Sequence, residues 1–196
     1  MNNIIAGWLG EKATSAGLRH GLDARRYQLL DDLYIPNGRG GTAQIDHVIV
    51  SQFGLFVIET KNRSGLICGA PEESHWRQIC HGNTYCFQNP MVQNNEHIRA
   101  LARLLNLRWT AFHSIIFFCG EARFAQRMPF HVRTEGVTTV VHSKNVVILS
   151  SEEAARAGRV LQASKQRGRG LEARHVQYVN TLAHRQELSQ SDESAG

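Results

Sequence analysis

The apolar positions of this chain follow two rhythms. Between Ile4 and Leu22, Ile5, Trp8, Leu9, Lys12, Ala13 and Ala16 recur near the helical period, and Gly21 stands where a helix would stop. From Tyr27 the rhythm changes to strand-like runs, expected over Tyr27–Tyr34, Thr42–Ser51 and Leu55–Lys61. Pro36-Asn37-Gly38-Arg39-Gly40-Gly41 separates the first two, and Gln52-Phe53-Gly54 leaves room only for a tight turn between the second and third. The second and third runs are apolar on both faces for part of their length, as central strands are.

The glycine-punctuated stretch from Asn62 to Phe87 predicts short hairpin strands around Leu66-Ile67 and Tyr85-Cys86-Phe87. Pro90 suits the first turn of a helix reaching Leu105, because the N–H it lacks has no partner there anyway. Ser114–Phe118 reads as a further buried strand, and Thr138–Val141 with Val146–Leu149 as a closing hairpin or two peripheral strands. Ser151 begins a helix with Glu152 and Glu153 at its positive end. Gln166-Arg167-Gly168-Arg169-Gly170 interrupts it, a last helix is expected over Leu171–Leu188, and Ser189–Gly196 is polar enough to be a disordered tail. A composition shift near Ala122–Glu135 suggests a core over residues 1–125 and an extension of strands and basic helices over 126–188.

Composition narrows the class. With 196 residues, 42% hydrophobic and 20% charged, the chain is long enough for one globular domain with a real core. No apolar run approaches the ~18 residues of a membrane span, and the start lacks the basic and apolar regions of a signal peptide. Four cysteines without a C-x-x-C pair are then expected to be reduced thiols in a cytoplasmic protein. A zinc site using Cys68, Cys80 and Cys86, with His81 nearby, has poor spacing. The formal net charge of +5 and pI of about 9.3 favour an anionic partner such as nucleic acid.

Two strings concentrate the chemistry: Gln44-Ile45-Asp46-His47 and Ile58-Glu59-Thr60-Lys61. Side chains alternate along a strand, so Glu59 and Lys61 share a face. If the two strands pair through the Gln52–Gly54 turn, Asp46 lies roughly opposite Glu59, sharing its face with Val48 and Val50, while His47 points away. Two carboxylates can then share a divalent cation, with a lysine beside the same phosphate. A hard cation neutralises the phosphodiester and activates water, and the lysine offsets charge as the pentavalent state forms. Carboxylates at the ends of apolar strands are costly unless such partners compensate them.

An acid, then Glu-x-Lys on the next strand, after a helix bearing Glu, resembles the PD-(D/E)xK nuclease superfamily. More closely, the chain resembles the nuclease-related domain, NERD. The matching stretches are Gly10-Glu11, Gln44–Val50, Gly54–Asn62, Gly65, Trp76 and Asn89-Pro90-Met91-Val92-Gln93-Asn94, over roughly residues 5 to 120. The superfamily's Pro-Asp is Ile45-Asp46 here, a departure that the NERD pattern shares. The resemblance implies an α/β, restriction-endonuclease-like core, a central mixed β-sheet flanked by helices. It implies a Mg²⁺- or Mn²⁺-dependent deoxyribonuclease acting on DNA, with Asp46 and Glu59 as metal ligands, Glu11 as an accessory acidic ligand, Lys61 as the catalytic lysine and Gln93 approaching the site. Two-fold pairing into a homodimer is common in the superfamily.

Plainer roles exist for each residue. Glu59 and Lys61 would make an ordinary solvated strand end, Glu11 a surface charge, and Gln93 a polar residue bonding the helix start. His47 is expected to pack on the far face of the sheet rather than act as a base, and Trp76 to sit in the core or clamp a hairpin. Asn62 and Arg63, just beyond Lys61, are candidates for phosphate contact. The basic series Arg156, Arg159, Lys165, Arg167, Arg169 and Arg174 is either a solvated helix face or a contact for the nucleic-acid backbone. A module that binds nucleic acid or regulates without cutting is the alternative to an enzyme.

Overall fold

The computed structural model describes residues 2–168, with side chains from Gly7 onward. In order these form α1 (Asn2–Gly21), β1 (Gln28–Pro36), β2 (Thr42–Ser51), β3 (Gly54–Lys61), β4 (Gly65–Cys68), β5 (His75–Cys80), β6 (Asn83–Gln88), α2 (Pro90–Leu105), a 3-10 turn (Trp109–Ala111), β7 (Phe112–Phe118), β8 (Ala122–Phe124), β9 (Val132–Arg133), α3 (Val137–His142) and α4 (Ser151–Gly168). The main sheet runs β1-β2-β3-β7-β9 and a second runs β6-β5-β4-β8. β1, β2 and β3 are an antiparallel meander, and β7 joins β3 in parallel after the α2 crossover. This mixed α/β architecture is the restriction-endonuclease-like core expected from the resemblance.

Both faces of the main sheet are covered. α2 and α4 bury Ile98, Leu101, Leu105, Ala157 and Leu161 against Val48, Val50, Leu55 and Val57. Opposite them, Leu18 of α1 and Val137, Val140 and Val141 of α3 close over Ile49, Phe56, Ile58 and Ile115. Burial on both sides is why β2 and β3 are nearly continuous apolar runs. The second sheet lays Ile67, Trp76 and Phe87 over Ile116 and Phe118, with the Trp76 indole stacked on the Phe118 ring at 6.2 Å.

Several expectations are corrected. The buried stripe of α1 is Gly10, Thr14, Ser15 and Leu18, whereas Trp8, Leu9, Ala13 and Ala16 face outward. The stripe is built from small residues because the helix lies close to the sheet, so counting large apolar side chains selected the wrong face. Thr138–Val141 lies in α3 and is no strand: Val137, Val140 and Val141 fall one helical turn apart, and that spacing outweighs their β-branching. Val146–Leu149 also forms no strand; Ile148 and Leu149 N–H groups both donate to the Gln52 carbonyl. The hairpin region contains an additional strand, β5, and its three strands form a four-stranded sheet with β8. The expected helix over Leu171–Leu188 and the polar tail lie outside the described residues.

One irregularity shapes the functional end. The β1–β2 ladder pairs Asp31 with His47 and Leu33 with Ile45, but skips Asp32 and Asp46 between them. Asp32 takes a left-handed backbone, φ 54°. Leu30 and Leu33, and likewise Ile45 and Val48, share one core cluster although the members of each pair are three positions apart, an odd offset that should put them on opposite faces. Alternation therefore breaks in both strands at this pair. Asp46 and His47, expected on opposite faces, consequently line the same pocket beneath α1.

α1 is anchored beside this break by Asp31. Ser15 donates to Asp31 Oδ2 at 2.8 Å, Arg19 pairs with the same oxygen, and His47 Nδ1 lies 2.8 Å from Asp31 Oδ1. Burial alone would raise the Asp31 carboxyl, but the bonds from His47 and Ser15 and the His47 and Arg19 charges outweigh it and hold it at about 2. A depressed carboxylate stabilises the fold above its unfolded pKa near 3.8, and that contribution is lost as pH falls through about 2. Asp31→Asn is expected to cost about 2 kcal/mol at pH 7. In denaturant titrations the gap between wild type and variant should close between pH 4 and pH 2; a gap independent of pH would refute the assignment.

Candidate active site

The β2–β3 ladder ends at His47 and Ile58. One further step would set Asp46 opposite Glu59, but β2 has turned away there, and the Thr60 N–H donates to Asp46 Oδ2 at 2.8 Å. The carboxylate thus occupies the place of a missing strand partner, in the plane of the sheet. Next to it Glu59, 2% exposed, and Lys61 project toward α2. Lys61 Nζ donates to Glu59 Oε1 at 2.6 Å and to Gln93 Oε1 at 2.9 Å. His97 Nδ1 lies 3.4 Å from Glu59 Oε2, an oxygen that accepts no hydrogen bond.

α2 is placed by its first turn. Asn89 Oδ1 accepts the Met91 N–H and caps the helix, while Asn89 Nδ2 donates to the carbonyls of Pro71 and Glu73. Pro90 occupies the first helical position. Asn94, fully buried, donates through Nδ2 to the Val57 carbonyl of β3 and to Ser114 Oγ of β7, both at 2.8 Å. With the helix fixed in this way, Gln93 and His97, one turn apart, both meet the Glu59–Lys61 pair.

Glu11 arrives from α1 on the other side of the sheet. α1 can come this close because position 10 is glycine: a Cβ there would stand 2.5 Å from Cys119 Sγ and 3.0 Å from Asn62 Cβ. The Glu11 carboxyl is raised chiefly by burial and further by the charges of Asp32 and Glu59, with His47 and Lys12 opposing. Asp46 is raised well above the ordinary range, first by burial, then by the negative charges of Glu59 and Glu11; the Thr60 N–H and Lys61 only partly offset this. Three carboxylates therefore act on one another across the seam where β2 and β3 part.

The structure thus brings Asp46, Glu59, Lys61 and Gln93 together, with Glu11 close enough to feel the same charges. Asn62 is exposed just past Lys61. Arg63 is not loose at the surface: it donates to Gln78 Oε1 at 2.7 Å and lies 4.0 Å from the Phe87 ring centre. Arg167 is exposed in the last turn of α4, whose Gly168 rests against Tyr34 of β1. Arg156 is spent on the Leu105 carbonyl at the end of α2. Arg169 and Arg174 lie outside the described residues. Sequence reading missed Asp32, Asn94 and His97. Two consecutive acids inside the apolar β1 run, and a histidine one turn beyond Gln93, were the available signals.

Among the described residues no three His, Cys, Asp or Glu side chains already surround a single point. Cys80 lies 3.1 Å from His81, but Cys68 and Cys86 do not join them in a metal-holding group, so the zinc alternative has no support there. The carboxylates nevertheless suit a hard divalent cation in kind. They are oxygen donors, Asp46 and Glu11 are raised by burial and then by neighbouring negative charge, and Glu59 Oε2 is buried with no hydrogen bond to satisfy it.

Comparison with known proteins gives a consistent picture. Residues 6–119, more than half the chain, match the family model of the nuclease-related domain. An uncharacterized protein of Bacillus anthracis is 28% identical over 185 residues, covering 89% of this chain and 84% of its own length. No solved structure matches significantly.

The geometry makes Asn94 the fastener between α2 and the sheet. Asn94→Ala would leave a buried carbonyl and a serine hydroxyl without their donor and is expected to cost about 2–3 kcal/mol. Thermal or denaturant unfolding measures it directly, and a loss under about 0.5 kcal/mol, the scale of a neutral surface change, would contradict the assigned role.

Proposed function

The chain belongs to the nuclease-related domain family, placed generally within the PD-(D/E)xK superfamily, and from that premise we propose that it is a divalent-cation-dependent nuclease hydrolysing DNA phosphodiester bonds. The observation that carries this reading is the hydrogen-bonded Glu59–Lys61–Gln93 series beside an Asp46 held by the Thr60 N–H. On an ordinary solvated strand end, Glu59 would not be buried and Lys61 would not be gripped from α2.

Asp46 and Glu59 would hold Mg²⁺ or Mn²⁺, with Glu11 as the accessory ligand. When bound, such an ion supplies neutralisation of the scissile phosphate and a lowered pKa for the attacking water. The Thr60 N–H fixes which way Asp46 turns. Lys61 has three donor protons; Glu59 and Gln93 take two, leaving one for the attacking water or for a phosphate oxygen as negative charge grows on it. Gln93 acts as a positioning residue, because its oxygen holds the ammonium rather than the substrate. Asn62, Arg63, Arg167 and Arg169 are the candidates for sequence-independent contact with the nucleic-acid backbone. Arg63, pinned over Phe87, would present a fixed charge.

A module that binds nucleic acid without cutting remains the second reading. The observation in its favour is that the described carboxylates do not yet encircle a point.

Incubation with labelled single- and double-stranded DNA in Mg²⁺, Mn²⁺ or EDTA separates the two. Cleavage is expected with either metal and none in EDTA. Asp46→Ala and Lys61→Ala should each lower the rate by at least about 100-fold with the circular dichroism spectrum unchanged. A wild-type protein that retains DNA but never cuts in any metal would overturn the enzyme and favour the binding module. Arg167→Ala should weaken binding of all sequences alike and reduce the salt slope by about one. A slope unchanged in a direct titration would remove Arg167 from the interface.

A further inference from the structure

α1 carries a large aromatic side chain that no core uses. Trp8 is 56% exposed, while the buried stripe of its helix runs through Gly10, Thr14 and Leu18. Trp8 shares the pocket-facing side of α1 with Glu11, Lys12 and Ser15, at helical spacings of three, four and seven residues. Lys12 Nζ lies 5.7 Å from the centre of its ring. The pocket has a volume of about 460 Å³ and is also lined by Asp32, Gln44 and Asp46. The indole and two of the candidate metal-binding carboxylates, Glu11 and Asp46, are therefore walls of one cavity.

The shape and chemistry of that cavity select an occupant. A volume of this order admits one nucleoside and excludes a duplex. Its acidic lining repels a second phosphate but offers acceptors to the N–H groups on a base edge. The indole offers a flat apolar face, and aromatic faces stack bases with little regard for sequence. The ammonium of Lys12, above the ring, suits the phosphate linking that base to the next.

We infer that this pocket receives one unpaired base next to the scissile phosphate, stacked on Trp8, and that the preferred substrate is single-stranded DNA. The inference rests on the nuclease reading of the adjoining carboxylates and specifies what they would act on. A base enters only if it is free of its partner strand, so discrimination against duplex arises from the size of the cavity rather than from base-edge readout.

The test is binding of a fluorescein-labelled single-stranded oligonucleotide and a hairpin duplex of the same composition, by anisotropy in EDTA, where no cleavage is needed. Wild type should prefer the single strand. Trp8→Ala should weaken single-strand affinity about ten-fold and leave duplex affinity unchanged. Trp8→Phe, which keeps a stacking face, should recover most of the loss. A 2-aminopurine placed in the oligonucleotide should be quenched by wild type and not by Trp8→Ala. Equal single-strand affinity of wild type and Trp8→Ala, or equal affinity of wild type for both probes, would overturn the inference. Because Trp8 is exposed, loss of the fold does not confound the result, and matching circular dichroism spectra check this. A protein that cuts DNA but shows no Trp8 effect would fail this inference alone; one that stacks bases on Trp8 but never cuts would fail the nuclease reading alone.

Discussion

A single backbone donor governs the functional end of the sheet. At Thr60, β3 still presents an N–H toward β2, but the β2–β3 ladder has already ended at His47 and Ile58. A buried N–H without an acceptor is costly. Asp46 supplies the acceptor from its side chain, so the carboxylate is drawn into the sheet plane rather than out to solvent. That one bond fixes the orientation of Asp46 and lets Glu11 approach from one face while Glu59 and Lys61 meet α2 on the other. The left-handed Asp32 on the neighbouring strand belongs to the same arrangement, because the ladder is interrupted on both sides of Asp46 at once.

The second constraint is the seating of α2. Asn89 and Asn94 are fully buried amides that bond outward from the helix, one to the loop before it and one to the strands beneath it. A helix held only by apolar contacts can slide or rotate with little cost in any one contact, whereas buried amides are satisfied in a narrow range of positions. Gln93 and His97 inherit that precision. The order Asn-Pro-x-x-Gln-Asn therefore encodes a cap, a first-turn proline, a partner for the lysine and a bolt to the sheet.

Much of this was legible in the sequence because it depends on local rules. The continuous apolar runs located β2 and β3, and the short turn between them set a register within a step of placing Asp46 against Glu59. The opposed carboxylates and the lysine followed from counting. What was not legible depends on tertiary context. Two strands losing their alternation together depends on one residue adopting a positive φ, which Asp tolerates but does not announce. The small-residue stripe of α1 is invisible to hydrophobic periodicity, which follows Trp8 and Leu9 although both face outward. β5 alternates a buried Trp76 with polar neighbours and carries too few apolar positions to register as a strand. α3 is six residues long, so its helical spacing competes with a β-branched composition that reads as strand.

The placement of Trp8 and the placement of the acids are two forms of one argument. A fold selected only for stability would bury the indole and separate the carboxylates, since an exposed aromatic face forgoes apolar burial and neighbouring buried acids raise one another. Here the exposed indole and two of the acids, Glu11 and Asp46, line a single cavity, while Glu59 lies behind it on the α2 side of the sheet. Elsewhere apolar residues fill both faces of the sheet, and α2 is capped by Asn89 and fastened to the strands by Asn94 Nδ2. Each departure is relieved by a different part of one ligand. A cation answers the carboxylates, and a base answers the indole. A polynucleotide chain carrying its counterion supplies both, and this is why the stacking inference, built on the nuclease reading, adds a base to the phosphate and cation which that reading already requires.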